Sequence, residues 1–216
     1  MVLGRGGRWP SLSPPRGLRT LLRLPARQTN QALLVALLLV FGTGVATVAI
    51  GSPNGAWVAI GHGICGMAVV LLIPWKSRVV RGGLRRARAT RWLSLLLAVL
   101  VLFTLIAGLG YATGLVRSIA GKPGIWVHIA VALVVVPLIL WHVCARGIRP
   151  RRTDLSRRVL LRAGVVAAGA VGIFAAGGAA ISALDLPGTR RRFTGSYETA
   201  SFRPAAMPST SWLLDA

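Results

Sequence analysis

Apolar residues in this chain gather in long unbroken blocks instead of recurring at every second, or every third and fourth, position. Five blocks stand out: about Ala32 to Gly51, Ala56 to Trp75, Trp92 to Val116, Gly124 to Ala145 and Ala163 to Leu184. A helix that is apolar all round has no water-facing side, and about 20 such residues cross a hydrocarbon core of roughly 30 Å. The blocks predict an all-α integral membrane protein. The clusters "GSPNG" and "RSIAGKPG" are turn-forming and fold spans one and two, and spans three and four, into hairpins. Two hairpins joined by a loop predict a four-helix transmembrane bundle, extended by a fifth transmembrane helix and a short irregular tail. The expected organisation is a basic tail over 1–30, the bundle over 31–146, a basic loop with the fifth helix over 147–186, and the tail over 187–216.

Composition agrees, with 54% hydrophobic residues and a mean hydropathy of +0.67. The formal net charge of +22 invites a nucleic-acid reading, but the positions of the basic residues remove it. They concentrate before span one (Arg5 to Arg27), between spans two and three (Lys76 to Arg91) and before span five (Arg146 to Arg162). Only Arg117 and Lys122 lie between spans three and four, none lies between spans one and two, and four lie in the C-terminal tail. This alternation follows the positive-inside rule. It predicts a multi-pass protein of the bacterial inner membrane with a cytoplasmic N-terminus and an extracytoplasmic C-terminus, whose surrounding partner is lipid and not nucleic acid. Trp57 and Trp126 fall at the outer ends of their spans, and Trp75, Trp92 and Trp141 near the inner ends, as interfacial belts require. Cys65 and Cys144 lie at different depths and predict neither a disulfide nor a metal cluster.

Polar rings inside such spans need partners. Span four carries His128 and His142, separated by about 21 Å of helix rise yet projecting from one face, since fourteen steps return to within about 40° of the starting direction. They cannot share one metal. His62 in span two lies about 10 Å below the outer surface and His128 about 7 Å below it. Opposed imidazoles at one level suit the two axial positions of a haem iron. Gly61, Gly63 and Gly66 are expected to let the macrocycle approach. His142 has Trp75 and Lys76 at its level and no histidine, so a single haem b is predicted, held by His62 and His128. His142 is left to a propionate, a quinone or a lipid headgroup. Pro137, between the two histidines of span four, predicts a kink.

Spans one to four resemble the cytochrome b561 and ferric-reductase-like four-helix cytochromes, in which histidines of the second and fourth helices hold haem. The likeness rests on His62, His128 and the fourteen-residue spacing to His142. The segment "SRRVLLRAG", with Arg157 and Arg158, resembles a twin-arginine export signal; alternatively these arginines only fix orientation. The tail stretches "RFTGSYE", Arg192 to Glu198, and "MPSTSWLLD", Met207 to Asp215, are similar to the junction of actinobacterial membrane-bound molybdopterin-dependent oxidoreductases of the sulfite-oxidase type. That resemblance implies an extracytoplasmic catalytic domain or subunit carrying the molybdopterin, outside these residues.

Within the chain no nucleophile stands beside a base, no carboxylates pair, and no phosphate-binding loop joins a strand to a helix. No catalytic site is expected. Asp154, Asp185, Glu198 and Asp215 all lie in loops or tail, which disfavours a proton- or ion-coupled transporter. The expected function is that of a haem b electron-transfer anchor between a quinone or other membrane carrier and the external oxidoreductase. A haem-free anchor that exports and tethers that domain is the alternative.

Overall fold

The computed structural model describes residues 24–50, 55–84, 91–146, 154 and 156–191. The "GSPNG" turn in part, most of the basic tail and both tail stretches lie outside the described residues. Five helices are long and apolar enough to cross a membrane: α1 (Ala26–Ala49), α2 (Gly55–Leu84), α3 (Arg91–Thr113), α4 (Gly124–Arg146) and α5 (Arg157–Ala183). The protein is an all-α, multi-pass membrane protein. Large apolar side chains such as Leu38, Val99, Ile106 and Leu133 lie on its surface, where lipid is their solvent. Trp57, Trp92 and Trp126 are at least 70% exposed, as headgroup-level anchors are. Helix α2 passes through Pro74 and runs about two and a half turns past the predicted end at Trp75, to Leu84, and α4 passes through Pro137 without interruption.

Helices α1 and α2 pack closely, as do α3 and α4, whereas the two hairpins touch each other little. Helix α5 lies against α2. A side-chain carbon at Gly63 would collide with the Phe174 ring of α5, and one at Gly169 would come 3.0 Å from Leu71 Cδ2 of α2. Each helix thus receives a large side chain of the other over a glycine, with Ala170 fully buried between them. Small residues earn close approach where lipid and protein are equally apolar.

A small antiparallel ladder, β1 (Ser118–Ile119) with β2 (Lys122–Pro123), joins α3 to α4. Its two central residues, Ala120 and Gly121, have φ of 50° and 73°, the handedness a two-residue hairpin turn demands. Helix α5 ends with Asp185 at φ 44°, Leu186 N–H bonded to Ile181 O and Asp185 N–H to Ser182 O, the Schellman pattern. The following 3-10 turn, Pro187–Arg190, seats Gly188 against Ala112 and Thr113 of α3. Gly114, at φ 75°, would place a side-chain carbon 2.7 Å from Gly188 N, so both glycines are needed for the contact.

At the opposite end, Arg27 of α1 grips Asp154 with two bonds, Nε to Oδ1 at 2.9 Å and Nη2 to Oδ2 at 2.6 Å. Arg162 of α5 turns inward and donates to Gln28 Oε1 at 2.6 Å, while Arg157 and Arg158 remain exposed at the helix start. These bonds tie α5 to the beginning of α1.

Substituting Gly63→Ala improves helix propensity by about 1 kcal/mol but overfills the Phe174 contact, at a cost of about 1–3 kcal/mol. Thermal unfolding in micelles is expected to show a net loss of stability for Gly63→Ala, and recovery when Phe174→Ala is added.

Candidate cofactor site

Each of the two level histidines rests on the backbone of its own hairpin partner. His62 of α2 places Nδ1 2.8 Å from the Val40 carbonyl of α1. His128 of α4 places Nδ1 2.9 Å from the Thr104 carbonyl of α3. A carbonyl oxygen only accepts, so each Nδ1 carries the proton, and the neutral ring then has its lone pair on Nε2. Among the described residues no hydrogen bond reaches Nε2 of either ring. Metal-ligating histidines characteristically show this arrangement, with the far nitrogen fixed by a carbonyl.

A helical carbonyl already accepts the N–H of the residue four positions on, and the side chain at that position flanks its remaining lone pair. Here both positions are glycine. A side-chain carbon at Gly44 would lie 3.1 Å from His62 Cε1 and 3.3 Å from Nδ1; at Gly108 it would lie 2.9 Å from His128 Cε1 and 3.0 Å from Nδ1. Thr43 adds its hydroxyl 3.4 Å from His62 Nδ1, while donating to Leu39 O at 2.6 Å. Glycine thus opens the carbonyl to the ring and leaves room for it.

The two rings face across the gap between hairpins, with centroids 6.1 Å apart and planes at 88°. An imidazole nitrogen stands about 2 Å from a metal it binds, and its ring centre about 1 Å beyond. Two imidazoles on opposite sides of one metal therefore have centroids about 6 Å apart, which is the separation seen. Both rings are half-buried. The donor set, two neutral nitrogens and no charged ligand, fits a metal whose other positions are filled by a macrocycle, as in haem. Among the described residues no group of three or more His, Cys, Asp or Glu side chains gathers as a closed metal site would require.

His142 does not join this pair. It lies on the same helix with Nδ1 3.3 Å from the Ser94 hydroxyl of α3. Its counterpart in the first hairpin is Lys76, whose Nζ donates to Asn30 Oδ1 of α1 at 3.0 Å. The correspondence is exact in spacing: His62 to Lys76 and His128 to His142 are each fourteen residues, Asn30 to Val40 and Ser94 to Thr104 each ten, and Val40 to Gly44 and Thr104 to Gly108 each four. The two hairpins repeat one spacing, and at the second level the first hairpin carries Lys76 where the second carries His142.

Of the glycines expected to flank a macrocycle, Gly61 and Gly66 face open space, but Gly63 serves the α5 contact instead. Helix level alone pairs His62 with His128, whose rings the structure brings together; it does not point to Val40, Thr43, Gly44, Thr104 or Gly108, for which the repeated carbonyl-to-glycine spacing is the available signal. No protein-family profile, curated protein or solved structure matches the chain.

Ring-nitrogen NMR of the cofactor-free protein is expected to show both His62 and His128 neutral and protonated at Nδ1. Gly108→Ala is expected to shift the His128 resonances and leave those of His62 in place, and Gly44→Ala the reverse.

Proposed function

We propose that the chain is a membrane-embedded electron-transfer protein that holds one haem b between His62 and His128. The observation that carries this reading is the 6.1 Å approach of two imidazoles whose Nδ1 atoms are each engaged by a backbone carbonyl. A haem held there by His62 and His128 would supply one-electron chemistry. The protein's own part is to hold the proton of each ring on Nδ1, which leaves the Nε2 lone pairs of two neighbouring imidazoles available. Val40 and Thr104 hold the protons on the far nitrogens, and Gly44 and Gly108 give the rings their places. A haem-free anchor has no use for two imidazoles with matched tautomers on opposed helices.

The orientation that the basic loops favour sets the N-terminus in the cytoplasm and the histidine pair toward the extracytoplasmic side. In that orientation the exposed Arg157 and Arg158 stand where a twin-arginine signal would be read, ahead of a span rich in Ala and Gly. The likeness of the tail to molybdopterin oxidoreductase junctions supports an extracytoplasmic redox domain or subunit as the partner, with a quinone or other membrane carrier as the second electron partner.

Purified protein is expected to give the reduced-minus-oxidised absorption bands of haem b at one haem per chain. His62→Ala and His128→Ala should each reduce haem content to background, and His142→Ala should retain it. A colourless wild-type protein, purified from haem-replete cells, would sink the reading.

A further inference from the structure

The end of the bundle nearest the histidine pair carries a cluster of cations that topology does not require. Arg117, Lys122, Arg190 and Arg191 are all exposed there. Three separate elements supply them: the loop after α3, strand β2 and the 3-10 turn. The contact of Gly188 with Ala112, Thr113 and Gly114 brings the last of these onto the end of α3, so Arg190 and Arg191 are delivered to the side where Arg117 emerges. Among the described residues Asp185 is the one acidic side chain at this end. Residues 192–216 carry two basic residues, Arg192 and Arg203, and two acidic ones, Glu198 and Asp215.

In the orientation proposed above, this is the translocated face, where Lys and Arg are disfavoured. Their presence asks for a different cause. The patch is also close to the candidate redox centre: Lys122 precedes α4 by two residues, and His128 lies about 6 Å of helix rise below the first residue of α4. The Thr104 carbonyl lies about 15 Å of rise below Gly114. Charge of one sign beside a redox centre steers an oppositely charged partner and raises its encounter rate by about 10- to 1,000-fold at low salt.

We propose that this end of the bundle is a docking surface for an acidic one-electron redox protein or domain, with Arg117, Lys122, Arg190 and Arg191 as its cationic contacts. The proposal rests on the haem reading of the histidine pair. A haem held by His62 and His128 would exchange one electron with that partner, the partner changing by one electron in the opposite sense, with no proton or atom transferred.

The test uses the full chain in phosphatidylcholine nanodiscs, reduced with dithionite, freed of excess reductant and reoxidised in a stopped-flow instrument. The oxidants are hexacyanoferrate(III), an anion, and hexaammineruthenium(III), a cation. At low ionic strength the anion is expected to oxidise the wild type about tenfold faster than the variant R117Q/K122Q/R190Q/R191Q, with the advantage fading at high salt. The cation should show the opposite preference. A control variant at the other end, R78Q/R81Q, should keep wild-type kinetics. A fluorescent poly-glutamate peptide binding to the same discs reads the surface independently of haem, and should bind the first variant more weakly than the control. Equal oxidation rates and equal peptide binding for wild type and first variant would overturn the docking surface while leaving the haem reading intact. Loss of the wild-type preference on adding phosphatidylglycerol to the discs would also overturn it, by showing that lipid phosphate occupies the patch. Absence of haem from the wild type, visible beforehand in its spectrum, would overturn both.

Discussion

The hydrogen bond from an imidazole N–H to a helical carbonyl is the constraint on which the candidate site depends. In water such a bond contributes only about 1 kcal/mol net. Inside a bilayer the alternative is an unpaired polar N–H, which costs several kcal/mol. The carbonyls of Val40 and Thr104 can serve because Gly44 and Gly108 leave their flanks open. Each ring is thereby fixed by the helix beside it and not by the helix it faces.

Because each hairpin supplies both a histidine and its support, each half of the bundle is complete in itself. The distance between the two rings is then set by how the halves meet. The halves touch little, yet they bring two imidazoles to 6.1 Å. The repeated spacing extends to the second level, where Asn30 with Lys76 answers Ser94 with His142. One residue in that repeat, Lys76, breaks the histidine symmetry and leaves a single matched pair.

Most of the fold was legible because membrane helices are written in composition. Five apolar blocks correspond to five helices, and the turn cluster before Gly124 does join α3 to α4, though the β1–β2 ladder within it is not foretold. Helix ends were less legible: α1 starts before its apolar run at Ala26, and α2 continues well beyond Trp75, because backbone hydrogen bonds persist into the headgroup level after apolar residues stop. The histidine pairing followed from depth alone. Its supports did not, because a carbonyl is contributed by any residue type, and a glycine that admits a ring looks no different in sequence from one that admits a phenylalanine. Gly63 was expected at the macrocycle and lies under Phe174, a distinction only the position of α5 reveals.

The fifth helix joins the two halves in a way its composition does not suggest. Along its length it lies on α2, and at its first turns it is bonded to α1 through Arg162 and Gln28. Its terminal turn, however, rests on α3. It therefore works as a splint laid along one hairpin with its tip hooked over the other. The hook itself is a meeting of two glycine backbones, Gly188 on Gly114, so a side chain at either would lift the tip from the second hairpin.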